Sequence, residues 1–306
     1  MTEEKVLFGK PDASRRIALV GVPLDSLSSL GRPGARYAPA KIRTALGWNL
    51  YRVRDGAFYD VEAERIVRMD DYAVVDYGDS FIAGGDIMQT QHNAQELMGE
   101  ALKSEAFVIA LGGDHEVSIP LMQAYHDFQD GPLGIIHVDA HLDLVDGNPR
   151  QGRYSGSSPM RRAIEMGRFN PKNLVQVGVR GFNYAEQYEF IQRMGIHHIP
   201  AGKVHAIGAQ AAAEMALEKA SAGGRKVYLS FDMDALDYAF APGTGIDEAG
   251  GLSSAEVLLF LRIIAPHIGA MDIVEVNPLT DQQDATSGLA AQIIFTMIAE
   301  RVNAGV

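Results

Sequence analysis

The stretch Leu133-Gly134-Ile135-Ile136-His137-Val138-Asp139-Ala140-His141-Leu142-Asp143 decides how the chain is read. Its first half is a nearly unbroken apolar run, short enough for a strand and apolar enough for one buried on both faces. Its second half alternates acid and imidazole with alanine and leucine. Side chains of extended backbone alternate across a sheet, so Asp139, His141 and Asp143 are expected on one face and Val138, Ala140 and Leu142 on the other. In open α/β sheets, ligands sit beyond the carboxyl ends of the strands, and three donors stand at this end.

Working outward, the same rhythm recurs along the chain. Strand candidates at 17–23, 73–77, 106–111, 174–179, 197–199, 227–231 and 271–276 join 133–138. Helical patterns lie between them at 86–102, 209–219 and 253–264, where Ser253 is a candidate N-cap with Glu256 three residues later. The pattern closes at 286–302, whose apolar face of Leu289, Ile293, Ile294 and Met297 is expected to dock on the sheet. Alternating strands and helices predict an α/β fold with a mostly parallel eight-stranded sheet. No linker, repeat or low-complexity tract interrupts the series, so residues 1–306 are read as a single catalytic domain.

Composition removes several classes of function. With 47% hydrophobic and 22% charged residues over 306 positions, the chain can bury a large core and is not of the disordered type. A net charge of −12 argues against a nucleic-acid surface, which needs a basic footprint, and fits metal sites or cationic substrates. The most apolar stretch, 257–265, is short and contains Arg262, and no basic segment leads into an apolar run at the start, so neither membrane spanning nor export is expected and the cytoplasm is the expected compartment. Zero cysteines exclude disulfides and thiolates, so any metal is held by nitrogen and oxygen.

Reactive side chains stand at four strand ends. Gly112-Gly113-Asp114-His115 follows 106–111, Asp232-Met233-Asp234 follows 227–231, and 271–276 carries Glu275 into Asn277-Pro278. Alone, an Asp-x-Asp is usually a turn or surface pair, and a histidine beside glycines is commonly a core residue. Together, four aspartates at neighbouring ends would repel one another and raise their own pKa values unless cations intervened. Two divalent cations balance four carboxylates. Oxygen-rich ligands with two imidazoles favour Mn²⁺ and admit Mg²⁺, Fe²⁺, Ni²⁺, Co²⁺ or Zn²⁺.

These motifs resemble the signatures of the ureohydrolase family of arginases, agmatinases and formimidoylglutamases, over most of the chain. The run Gly31-Arg32-Pro33-Gly34-Ala35-Arg36-Tyr37-Ala38-Pro39 is similar to the family's loop after its first strand, with Ala38 where glycine is usual. Gly112 to His115, His137 to Asp143 and Ser230 to Asp237 match the three metal signatures, and the runs Ala239 to Gly245 and Glu275 to Pro278 follow in the family's order. The resemblance implies an arginase-like three-layer α/β/α fold. It implies that His115 and Asp143 bind one metal, that His141 and Asp234 bind the other, and that Asp139 and Asp232 bridge them. It further implies a homo-oligomer, trimeric or hexameric, acting on a small guanidino or formimidoyl substrate. Asp143 and Glu275 are the expected catalytic pair: Asp143 holds a nucleophilic water and passes its proton to the departing amine, and Glu275 pairs with the cationic amidinium.

Two departures from the family pattern bear on substrate. The shuttle histidine usual before an Arg-Arg-Ala helix start is absent, and Ser155 or Gly156 takes its place ahead of Arg161-Arg162-Ala163. Ile246 stands where threonine commonly follows Gly-Thr-Gly. Arg150 and Arg153 are candidates for a substrate carboxylate, with a solvated loop as the duller reading, and Phe182, Asn183 and Tyr184 are candidates for the substrate's tail. The leading reading is hydrolysis of a linear guanidino compound to urea and an amine. The alternative is a formimidoylglutamase-like hydrolase releasing formamide, which the Ser155-to-Pro159 loop and Leu142-Asp143-Leu144 favour. A third is a metal-stabilised partner subunit without turnover, against which the complete set of six donors argues.

Overall fold

Apolar runs that cannot stay in water become the strands of one twisted sheet. The computed structural model describes residues 4–25, 32–147, 149–246 and 248–306. Its strands are β1 (Lys5–Phe8), β2 (Arg15–Gly21), β3 (Ala57–Asp60), β4 (Arg65–Arg68), β5 (Tyr72–Asp79), β6 (Phe107–Leu111), β7 (Leu133–Val138), β8 (Phe169–Val177), β9 (His197–Ile199), β10 (Lys226–Asp232) and β11 (Ile268–Val274). Among the described residues the main sheet runs β1-β5-β2-β6-β11-β10-β7-β8-β9, while β3 and β4 pair separately. Every pairing in the main sheet is parallel except that of β1 with β5.

Period-2 alternation sorts the strand side chains into two cores. On one face Leu19, Ile109, Ile136, Val175, Leu229 and Ile273 pack with helices α1 (Ala38–Leu50), α6 (Ala201–Ile207), α7 (Ala209–Ala220), α8 (Ser254–Ile264) and α9 (Ala285–Ala304). On the other face Val20, Val108, Ile135, Leu174 and Tyr228 pack with α2 (Ile87–Lys103), α3 (Ser118–Phe128), α4 (Pro159–Glu165) and α5 (Ala185–Met194). The result is the expected α/β/α sandwich, each fully buried Leu, Ile or Val contributing about 1.5–3 kcal/mol.

Local signals set the helix starts. The Asp86 carboxylate accepts from the Gln89 amide at the head of α2, and Ser253 and Glu256 form a reciprocal capping box at the head of α8. In α9, Ile293, Ile294 and Met297 are fully buried and Leu289 half-buried. They lie in the core on that face, packed chiefly against α1 and α8.

Three expectations need correction. The main sheet has nine strands rather than eight, because β1 adds an antiparallel edge; β1 is only four residues long and largely half-exposed, so it lacks the buried run by which the others were found. Strand β8 starts at Phe169, ahead of the expected 174, through Asn170-Pro171-Lys172, which carry no apolar pattern. Strand β7 ends at Val138, so Asp139, His141 and Asp143 do not share a strand face; they lie in a turn in which Asp143 takes φ 50°.

The site-bearing strands β6, β11, β10 and β7 are consecutive in the sheet. Their ends are stitched together by backbone bonds: Gly112 N–H to Ile273 O at 2.8 Å and Glu275 N–H to Gly113 O at 2.9 Å. The described part of the arginine-glycine loop reaches the same rim, where Asn277 Nδ2 donates to Arg32 O at 3.0 Å and a Cβ on Gly34 would lie 2.0 Å from Asn277 Oδ1. Gly31 of that loop lies outside the described residues. A Cβ at Gly113 would sit 1.6 Å from the backbone oxygen of Leu24, with no flexible atom to give way. Gly113→Ala is therefore expected to destabilise by about 1–3 kcal/mol, the usual cost of overpacking, read as a lowered thermal midpoint. A variant as stable as the parent would contradict this close approach.

Candidate metal centre

The donors converge into two groups that share one carboxylate. His115 opens a short 3₁₀ turn after β6, and its Nδ1 lies 3.1 Å from Asp139 Oδ2, 2.8 Å from Asp143 Oδ2 and 3.1 Å from Asp232 Oδ2. His141 Nδ1 lies 3.4 Å from Asp139 Oδ1 and 3.0 Å from Asp234 Oδ2. Asp139 thus offers one oxygen to each group. Asp232 turns Oδ2 to the His115 group, while its Oδ1 accepts from the Asp234 amide at 2.8 Å. Donors about 2.1 Å from an octahedral cation stand about 3.0 Å apart, so this spacing fits coordination.

Proton positions follow from the outer partners. Tyr228 and Ser230 hydroxyls donate to Asp272 at 2.8 and 2.9 Å. With its hydrogen given to Asp272, Ser230 Oγ accepts from His115 Nε2–H at 3.0 Å. In the neutral ring the lone pair of His115 is therefore on Nδ1, facing three carboxylates. Among the described residues, His115 Nδ1 and Asp143 Oδ2 are buried atoms with no hydrogen-bond partner. Lone pairs facing one another in a dry site call for a cation between them. Asp139 is held at the rim by the His141 amide donating to its Oδ1 at 2.5 Å, and Asp234 by the Ala140 amide donating to its Oδ1 at 3.1 Å.

Electrostatics without metal point the same way. Burial opposes charge on His115, yet Asp143, Asp139 and Asp232 override it and hold its pKa well above the usual range. His141 is likewise pushed up against its burial by Asp234 and Asp139. Burial, then repulsion from Asp234 and Asp139, raises Asp232 well above an ordinary carboxylate, and burial with Asp139 raises Asp143. Asp139, although buried, is held well below by the imidazoles around it. Glu275 lies just beyond β11 with φ 62°, and its Oε1 accepts from the His115 amide at 2.9 Å. Burial, then the charges of Asp234 and Asp143, lifts it to about 7. Left-handed backbone at both Asp143 and Glu275 is strain of the kind that collects at functional sites.

A cleft of about 640 Å³ opens over these donors and is walled by Val145, Gln151, Ser157, Tyr184 and Gln187. Of the other residues singled out in the sequence, Asn183 and Ile246 line it and Arg150, Arg153 and Ser155 do not. Arg150 is exposed. Arg153 is paired with Asp146 at 2.7 Å and Glu165 at 3.0 Å, which fastens the loop instead of reaching the cleft. Ser155 is buried, and Gly156 is the residue at the cleft wall: a Cβ there would lie 3.8 Å from both Glu275 Oε1 and His115 Cβ. Sequence reasoning gave no role to His137, Gln176, Ser230, Asp272 or Gln187. The first four are polar residues flanked by apolar ones within the buried parts of their strands, a signal that was there to be read.

A parallel sheet whose central strand ends gather carboxylates and imidazoles at ligand spacing, under a small-molecule cleft, has the arrangement of a metal-dependent enzyme. The chain belongs to the arginase family, whose model matches residues 15–299. It is a hydrolase of carbon–nitrogen bonds in amidino compounds. It is 34% identical to proclavaminate amidinohydrolase of Streptomyces clavuligerus, over 90% of this chain and 85% of that one. It is 32% identical to the formimidoylglutamase of Halalkalibacterium halodurans, over 92% and 85%. The crystal structure of a hypothetical agmatinase from Burkholderia thailandensis superposes with a TM-score of 0.82 at 33% identity, covering 95% of this chain and 87% of that one. No helix of the described residues is long and apolar enough to cross a membrane.

Because Asp139 belongs to both groups, Asp139→Ala is expected to lose both metals, whereas Asp234→Ala keeps one; elemental analysis after gel filtration counts them. Metals must also displace the protons that His115, His141, Asp143 and Asp232 hold above their ordinary ranges. Affinity should therefore rise with pH, with protons released on binding. Titrations showing one affinity from mildly acidic to mildly alkaline pH would contradict this.

Proposed function

We propose that the chain hydrolyses a linear guanidino compound with a neutral or cationic tail to urea and an amine, using two divalent cations. The observation that carries this reading is the cleft lining: carboxylates and imidazoles at the floor, neutral Gln151, Asn183, Tyr184 and Gln187 on the walls, and neither Arg nor Lys among the described lining residues. A cationic head group is welcome there, and a carboxylate tail finds no cation to pair with. The net charge of −12 acts in the same sense at long range.

A bound pair of divalent cations supplies the Lewis acidity that makes a water nucleophilic near neutral pH. The hard, sulfur-free donor set suits Mn²⁺. Asp139 and Asp232, with His115, His141, Asp143 and Asp234, are the proposed holders. Glu275 pairs with the substrate amidinium, which favours its charged form against the burial that raises it. The oxygen of water adds to the central carbon, Asp143 Oδ2 takes its proton, and that proton passes to the amine nitrogen as the carbon–nitrogen bond breaks. Asn183 and Gln187 meet the tail with amide groups, and Ile246 closes the wall with an apolar surface.

Among relatives, one is named for proclavaminate and another for formimidoylglutamate, so product identity separates the readings. With Mn²⁺-loaded protein and a panel of agmatine, arginine, guanidinobutyrate, guanidinopropionate and formimidoylglutamate, urea is expected, with kcat/KM highest for the substrate lacking a carboxylate. Formamide as the product, or fastest turnover of a dicarboxylate, overturns the reading. Asp143→Asn should lower kcat about 10²–10⁴-fold, the usual worth of a positioned proton carrier.

A further inference from the structure

Beneath the metal centre a row of polar side chains crosses the sheet. Asp272 on β11 is level with Ser230 on β10, Ser230 with His137 on β7, and His137 with Gln176 on β8. All four are buried. His137 Nε2 lies 2.7 Å from Asp139 Oδ2, close enough to pass for a metal donor itself. Its other nitrogen decides otherwise.

Gln176 Nε2 lies 2.6 Å from the Leu142 carbonyl and 2.8 Å from His137 Nδ1. A carbonyl is only an acceptor, so the atom facing it is the amide nitrogen, and that nitrogen's second hydrogen points at His137 Nδ1. Nδ1 is therefore an acceptor, and the imidazole proton sits on Nε2, donated to Asp139. The reverse arrangement would set an amide oxygen against the Leu142 carbonyl and a bare imidazole lone pair against the Asp139 carboxylate.

We propose that Gln176 and His137 are positioning residues that fix the shared carboxylate of the metal centre: Gln176 sets the His137 tautomer, and His137 Nε2–H holds Asp139 Oδ2. The donor occupies one lone pair of Oδ2 and leaves the other, with Oδ1, for the two cations. Proximity alone would count His137 among the metal donors; the hydrogen bonds make it a support and not a ligand.

This inference rests on the reading of Asp139 as a shared metal ligand, and the experiment separates the two. Long-range proton–nitrogen NMR of histidine-labelled, metal-free protein reads the tautomer, with the His137 signal assigned by its loss in His137→Gln. The Nε2–H form is expected in the parent and a mixture of forms in Gln176→Met. Mn²⁺ affinity by chelator competition should fall roughly 10–100-fold in His137→Leu, the usual effect of removing an outer-shell partner. It should largely return in His137→Gln, whose Nε2 is the same number of bonds from Cβ and still donates. An Nδ1–H tautomer in the parent, parental affinity in a folded His137→Leu, or no rescue by a folded His137→Gln each overturns the proposal. Should His137→Leu not fold, the tautomer in the parent and in Gln176→Met decides. Asp139→Ala serves as control: if it too binds metal like the parent, the shared-ligand reading falls, and if it alone loses metal, only the positioning role does.

Discussion

Repulsion among Asp139, Asp143, Asp232 and Asp234 is the constraint on which the rest of the structure depends. These carboxylates are nearly or fully buried at the ends of neighbouring strands, where water cannot screen them. Without metal, the protein meets the constraint by borrowing protons, holding His115 and His141 charged and pushing Asp143 and Asp232 upward. A fold that arranges its most strained electrostatics at one rim is stabilised there by whatever cation fills it, so metal binding and folding free energy are linked.

Much of the sheet was legible in the chain because a strand buried on both faces leaves an apolar run that nothing else explains. Strands β2, β5, β6, β7, β10 and β11 announce themselves in that way. The edge strand β1 and the hairpin β3–β4 do not, since exposed strands carry ordinary polar mixtures. The donors were legible for a different reason: carboxylates at four successive strand ends make little sense unless they meet. Strand alternation was the wrong route to that conclusion. Asp143 reaches the rim through left-handed backbone after β7 has ended, and Asp234 through a 3₁₀ turn after β10.

Substrate contacts were less legible because loops owe their side-chain directions to neighbours distant in sequence. Arg153 is a suitable carboxylate binder by type, but Asp146 also gathers Arg161 and Arg162, and that network draws Arg153 away from the cleft. The same network holds the Ser155–Gly156 loop, whose wall position is a glycine. Where the resemblance places an imidazole the chain has a glycine, whose Cβ would lie 3.8 Å from Glu275 Oε1, and on the proposed reading the proton is carried by Asp143.

The outer shell shows why such a site is built on strands. Strand register puts Asp272, Ser230, His137 and Gln176 in one row at no cost in loop ordering, with Ser230 bonded to Asp272 and Gln176 to His137 across neighbouring strands. A lone polar residue in a buried strand is expensive, whereas a row of them can bond its members to one another and gain rigidity. That rigidity reaches the rim twice, through Ser230 to His115 and through His137 to Asp139. Both bonds hold a ligand from its far side and leave its near side for a cation. Charge repulsion at the rim and hydrogen-bond satisfaction beneath it thus work toward one end: lone pairs that face each other across the width of a cation, held by a sheet too well packed to let them turn away.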